Sequence, residues 1–328
     1  MATYKGINGF AVQSVASDPS PSNEGQVWYN NATYAFKLAA VTTAGTWAAG
    51  GNLNNSIQNA GSAGTQTAAV SFGGGGTPRT TTELYNGTSW TTNPTGLNVA
   101  RRIFTGTGIQ TAALGFGGYT DPGTSSATEK FDGSTWTTSG NMGTARYGLA
   151  GAGIQTATLA FGGNPGGSSE SFNGTSWTSA PNLNTARAYL AGFGTQTAAI
   201  AAGGAVAPST QTESYNGTSW TNVNSLNSAR YLSGNAGTQT SGIIFGGFAP
   251  GSPSFVGTTE LWNGTSWTSN PTGLATGRSR MGSGKNGTQT STIAFGGETT
   301  PGGMPGSTAA TEEWTGPGSP VTKTITTS

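Results

Sequence analysis

"TTELYNGTSWTTN", Thr81 to Asn93, is the phrase whose reading decides the fold. It returns as "ATEKFDGSTWTTS" (127–139), "SSESFNGTSWTSA" (168–180), "QTESYNGTSWTNV" (211–223) and "TTELWNGTSWTSN" (258–270). An Asn-Gly or Asp-Gly pair between two strand-like runs is the strongest short hairpin signal. A two-residue type I′ loop at Asn86-Gly87 would set Tyr85 opposite Thr88 and Glu83 opposite Trp90. Glu83, Tyr85, Thr88 and Trp90 would then share one face of a sheet. Asp132-Gly133 does the same in its copy.

Working outward, the closing Trp recurs at Trp47, Trp90, Trp136, Trp177, Trp220 and Trp267, with gaps of 43, 46, 41, 43 and 47 residues. A hydrophobic run ending in a Gly pair recurs with it, from Gly73-Gly74 to Gly296-Gly297. A Gln-Thr phrase precedes each pair, as in "GTQTAAVSFGG" (64–74). In "QTAAVSF", Gln66, Ala68, Val70 and Phe72 share one strand face and Thr67, Ala69 and Ser71 the other. Small or apolar residues on both faces suit a sheet held between two neighbouring sheets. After each Trp comes a segment ending in Arg: Arg101, Arg146, Arg187, Arg230 and Arg278. No helix-length pattern interrupts the series.

A period of roughly 40–50 residues carrying four short strands is the mark of a propeller blade. The pieces resemble the kelch repeat: a strand ending in Gly-Gly, a Glu-x-aromatic strand, a Trp strand, then a Leu-x-x-x-Arg segment. The resemblance spans about residues 47–314 and implies an all-β, kelch-type β-propeller of six four-stranded blades. The last copy, "TEEWTGPGSPV" (311–321), lacks a closing Trp, and the first begins with a lone closing strand at "GTW" (45–47). Pairing those two strands would join the termini and close the ring. The alternative is a seventh blade, built from residues 23–47 and the tail "VTKTITTS". The expected division is an N-terminal hairpin adaptor over 1–42 and a propeller over 43–328. Two copies depart from the pattern: Ile57 stands where five have Arg, and Ala202 replaces the Phe before its Gly pair. Each should weaken one blade interface.

Composition excludes much chemistry. The 328 residues contain no Cys and no His, so disulfides, thiolate or imidazole chemistry and soft-metal sites are out. Net charge is +1 with only 8% charged residues, so nothing draws nucleic acid or anionic lipid. "MATYKGINGFAVQSV" has no apolar secretion core, and no run is long enough to span a membrane. No cofactor or metal is expected.

Six of the twelve acids are the repeat Glu: Glu83, Glu129, Glu170, Glu213, Glu260 and Glu312. Five of the thirteen bases are the repeat Arg. Recurrence in every blade favours charge-assisted pairing between strands or blades; an Arg ring binding an anion at the pore is the alternative. Few residues remain for catalysis: Asp18, Glu24, Asp121, Asp132, Glu298, Glu313, some Lys and Arg, and hydroxyls. A glycosidase needs two carboxylates across a cleft, and only Asp121 and Glu298 are placed to serve. The kelch oxidases use His and Cys, which this chain lacks. "NGT" reads as a glycosylation sequon at Asn86, Asn173, Asn216 and Asn263, but the hairpin turn accounts for each.

Asn-Gly and Gln-Thr turns belong to one face of a propeller. The loops after the Gly pairs belong to the other, and they vary from blade to blade. Varied loops on a regular frame are where recognition is carried. The candidate binding residues are Arg79, Tyr119, Asp121, Phe248, Phe255 and Glu298. Residues 1–46 do not repeat. Their "DPSPSNEGQVWYNNATYAFKL" (18–38) resembles a β-hairpin phrase of bacteriophage virion and tail-fibre proteins. That resemblance implies a non-enzymatic virion component, displayed on tail or capsid within a larger assembly. It would attach to other virion proteins through the N-terminal segment and recognise a host-surface glycan or protein. A non-viral, lectin-like or scaffold kelch protein is the alternative.

Overall fold

The computed structural model describes residues 12–19, 26–41, 44–205, 210–249, 255–300, 306–318 and 320–324. Glu24 and parts of three variable loops, 206–209, 250–254 and 301–305, lie outside them. Every regular element among the described residues is a β-strand. The chain divides into two compact units: residues 46–315, and residues 1–45 together with 316–328.

Residues 46–315 form six antiparallel four-stranded sheets. Sheet 1 runs Gly61–Gly64, Ala69–Phe72, Thr82–Tyr85 and Trp90–Asn93. Sheets 2 to 5 repeat that order over 105–139, 150–180, 191–223 and 234–270. Sheet 6 takes three strands from 282–315 and its fourth, Thr46–Ala49, from the start of the unit, with Trp47 opposite Trp314. The first strand of each sheet packs beside the first strand of the next, and that of sheet 6 beside that of sheet 1. The arrangement is propeller-like.

The hairpin of the recurring phrase differs from the two-residue turn. Tyr85 lies opposite Trp90 and Glu83 opposite Thr92, so the loop is four residues, Asn86 to Ser89. The Asn86 side chain is the reason. Its Oδ1 accepts from the backbone N–H of Thr88 and Ser89, both at 2.9 Å, which closes an Asx turn. Asp132, Asn173, Asn216 and Asn263 repeat the device. Only Gly87 takes positive φ, at 91°. The register slips by two residues, an even number, so Glu83, Tyr85 and Trp90 still share a face.

The second strand begins at Ala69, and Gln66 lies in the preceding turn. Its amide reaches across to the Trp314 carbonyl of the sheet before it, at 2.9 Å. Gln110, Gln155, Gln196 and Gln289 each donate to two backbone carbonyls of the preceding sheet, and Gln239 to one and to the Ser214 hydroxyl.

The closing Trp makes the apolar half of the same joint. Trp136 packs on Phe72 of the sheet before at 4.7 Å between centroids, and its Nε1 donates to Thr82 Oγ1 at 2.9 Å. Trp47, Trp90, Trp177 and Trp267 likewise donate to Thr259, Thr311, Thr128 and Thr212. In sheet 3 Ser169 stands in the place of that Thr, and Trp220 turns to the Pro181 carbonyl instead. At Ala202 the missing Phe is replaced from the neighbouring strand. Phe193, 1% exposed, takes the position that Ala63 holds in sheet 1 and meets Trp267 at 6.3 Å.

The second unit is one four-stranded sheet: Gln13–Val15, Val27–Asn30, Ala35–Val41 and Pro320–Thr324. The tail strand thus joins the N-terminal segment. The first two strands run parallel, unlike any pair in the six repeat sheets. Trp28 is fully buried and donates to Asp18 at 3.0 Å, while Asn30 Nδ2 donates to it at 2.8 Å. Those two bonds, Asn30 first, hold the Asp18 carboxyl below its ordinary range. Val27, Tyr34 and Phe36 are exposed.

Candidate functional site

The six-sheet unit has two faces. On one, each Asn-Gly turn lies against the Gln-Thr turn of its own sheet, as Gly87 does beside Thr67 and Gly133 beside Thr111. The loops after the Gly pairs and the segments ending in the repeat Arg lie on the other. There the residue after the Arg position pairs with the residue after the Gly pair. The six couples are Gln58 with Gly75, Arg102 with Tyr119, Tyr147 with Asn164, Ala188 with Ala205, Tyr231 with Phe248, and Ser279 with Glu298. One position further on, the backbone turns left-handed in every copy: Asn59, Ile103, Gly148, Tyr189, Leu232 and Arg280, with φ between 55° and 65°. Four of these are residues that rarely adopt that region. Hydrogen bonds hold them there. The N–H of Asn59 donates to Arg280, Ile103 to Asn59, Gly148 to Ile103, Tyr189 to Gly148, Leu232 to Tyr189 and Arg280 to Leu232. The series returns to its start. The backbone of this face is therefore uniform, while its side chains are not.

The repeat charges lie beneath this face, inside the joints. Arg101 donates to Glu129 of the next sheet at 2.7 Å and to the Ala127 carbonyl at 2.5 Å. Arg146–Glu170, Arg187–Glu213, Arg230–Glu260 and Arg278–Glu312 follow at 2.7–3.4 Å. Burial pulls the Arg101 guanidinium down to about 10, with Glu129 pulling it back up; the other four are lowered for the same reason. Each Glu also accepts backbone N–H groups of the segment that carries the Arg, as Glu129 does from Asn98 at 2.6 Å. None of the five arginines lines the axial cavities described below. Where Ile57 replaces Arg, Glu83 accepts from Asn54 N and Asn55 Nδ2 and pairs with no cation among the described residues.

The six loop candidates do not form one site. Tyr119 and Asp121 cluster around Arg102, which lies 5.3 Å from the Tyr119 ring and 3.7 Å from the exposed Asp121 carboxylate. Phe248 and Phe255 pack edge to face at 5.9 Å, with Tyr231 5.1 Å from Phe248. Arg79 is half-buried beside Arg101, with which it forms a backbone bridge. Glu298 is 1% exposed and paired with Arg280 at 3.1 Å, so it is a buried anchor of its loop rather than an open acid. Asp121 and Glu298 thus belong to the loops of different sheets, each in its own ion pair.

Three tyrosines extend the Tyr119 cluster. Tyr147 meets Tyr119 at 5.8 Å and Tyr189 at 6.1 Å. Burial, then the charge and hydrogen bond of Tyr147, push the Tyr189 hydroxyl up to about 12; Tyr231 is also near enough to act on it. Two aromatic groups, Tyr119–Tyr147–Tyr189 and Tyr231–Phe248–Phe255, thus follow one another along an arc of this face, their segments joined by the Leu232 N–H to the Tyr189 carbonyl. Apart from the charged Arg102 and Glu298, the other members of the couples, Gln58, Gly75, Asn164, Ala188, Ala205 and Ser279, are polar or small. Arg102, Tyr147, Tyr189 and Tyr231 follow within two residues of a repeat Arg, and that spacing is the signal that would have found them.

A cavity of about 90 Å³ lies inside the ring of left-handed residues, lined by Ser62, Thr105, Ser233, Asn235, Ser283 and Lys285 among others. A second, of about 410 Å³, opens among the Gln-Thr turns. Lys285 lines both.

A scan against protein-family models and a search of curated proteins found no match to this chain.

Proposed function

We propose that this chain is a non-enzymatic structural protein of a bacteriophage particle. Its repeats form a six-bladed kelch-type propeller, closed where Thr46–Ala49 completes the last blade. Its uneven face recognises a host-surface glycan. The observation that carries this reading is the aromatic arc. Half-buried rings, four of them tyrosines with hydroxyls at their edges, held on a hydrogen-bonded backbone, offer the flat amphipathic surface that sugar faces and protein partners use. The opposite face repeats the same Asn-Gly or Asp-Gly turn in five of the six sheets. The N-terminal sheet supplies the attachment. It carries the phage-like phrase, and its exposed Val27, Tyr34 and Phe36 suit burial against another virion protein. Mass spectrometry of purified particles from the source culture tests the assignment. The chain is expected among the particle proteins at stoichiometric abundance. Its absence from particles, with presence in uninfected cells, would overturn it.

A further inference from the structure

Sheet 6 breaks the pattern at its first strand. Sheet 1 reads "GSAGTQT" (61–67), whereas sheet 6 reads "GSGKNGTQT" (282–290), two residues longer. The strand is cut to Gly282–Ser283, where the other five sheets have four or five residues. The extra residues are held in place. Gly284 N donates to Ile293 O at 3.1 Å, Gly287 N to Gly284 O at 2.7 Å, and Asn286 N to Gly64 O of sheet 1 at 2.9 Å. The insertion sets Lys285 between the two axial cavities, where its Nζ donates to the Thr105 hydroxyl of sheet 2.

Among the described residues, no acid forms an ion pair with Lys285. No lining residue of either cavity is acidic. Burial pulls its ammonium down to about 8. Asn235, 4% exposed, lines the smaller cavity with its Oδ1 unpartnered, and so does the Ser233 hydroxyl. A rotated Asn235 amide and the Ser233 hydroxyl are both able to donate. The other cation among the described lining residues, Arg280, is held by Glu298. The volume of about 90 Å³ has room for a few waters or one oxyanion group.

We propose that the smaller axial cavity binds a single oxyanion group, phosphate or carboxylate, against Lys285 Nζ, with Ser233 and Asn235 completing the hydrogen bonds. The site breaks the six-fold pattern at one place, as a binding site in a repetitive frame must. It does not depend on the function proposed above. Binding requires the ammonium form. Arg280, paired with Glu298, and Tyr189 also face the cavity, and Tyr189, its hydroxyl raised to about 12, stays neutral across neutral and mildly alkaline pH. Lys285, lowered to about 8, is the group whose charge changes in that range.

The test is thermal unfolding of the full chain at fixed ionic strength, with chloride exchanged for inorganic phosphate or for galacturonate. At pH 7 the melting temperature of the wild type is expected to rise saturably with at least one of them. A response to phosphate alone identifies free phosphate, and a response to galacturonate identifies a sugar carboxylate. Lys285→Met removes a buried charge, should fold at least as well, and should show no rise. Between pH 7 and 9.5 the half-saturating concentration should increase on the order of tenfold or more, as a group titrating near 8 loses its proton. No saturable rise with either anion, an equal rise in Lys285→Met, or a pH-independent midpoint would overturn the proposal.

Discussion

Glu83 and Glu129 hold the same position in neighbouring sheets, yet only Glu129 faces a cation. Arg101 donates to it at 2.7 Å with both side chains out of water. Glu83, 4% exposed, makes do with Asn54 N and the Asn55 amide, because Ile57 fills the place of an arginine. Stranding one partner of a buried pair costs about 3–5 kcal/mol, so Glu129→Gln should destabilise by that amount. Glu83→Gln strands no cation and should cost about 1 kcal/mol. Denaturant unfolding of the two variants measures the difference; equal losses would mean the guanidinium contributes nothing. The Glu–Arg pattern could be read from the sequence because charge is so scarce in this chain. The left-handed positions could not. Ile103, Tyr189, Leu232 and Arg280 carry side chains that disfavour positive φ, and only the cycle of hydrogen bonds between sheets imposes it.

At the scale of elements, each hairpin was visible in its Asn-Gly or Asp-Gly pair, but its register was not. The usual rule places that pair at the tip of a two-residue loop. Here the Asn or Asp side chain competes for backbone N–H groups two and three residues on and stretches the loop to four. The Gln-Thr phrase looked like the start of a strand; its Gln serves instead to bond the preceding sheet, a long-range role that no local pattern discloses. Gly87 sits at φ 91°, and an added Cβ would meet nothing closer than 3.5 Å. The cost of Gly87→Val is therefore in the backbone, about 1–3 kcal/mol. Chemical denaturation should show it with far-face binding unaltered; a neutral substitution would contradict the turn.

For the whole molecule, one division of labour accounts for most of the sequence. The residues that recur, Glu, Trp, Gln and Arg, lie in the joints between sheets and make every joint nearly alike. Within residues 46–315, the residues that do not recur gather mainly on one face and at Lys285 between the two cavities. The sequence placed recognition on the varied loops, but part of the face lies in the segments after the arginines, which looked like the end of a structural motif. The most direct test is a glycan array probed with the wild-type chain, with Gly87→Val, and with a Tyr147→Ser/Tyr231→Ser double variant. The wild type and the turn variant should bind the same glycans, and the double variant should bind at least tenfold more weakly. Undiminished binding by the double variant, or loss in the turn variant alone, would contradict the assignment of recognition to the aromatic face.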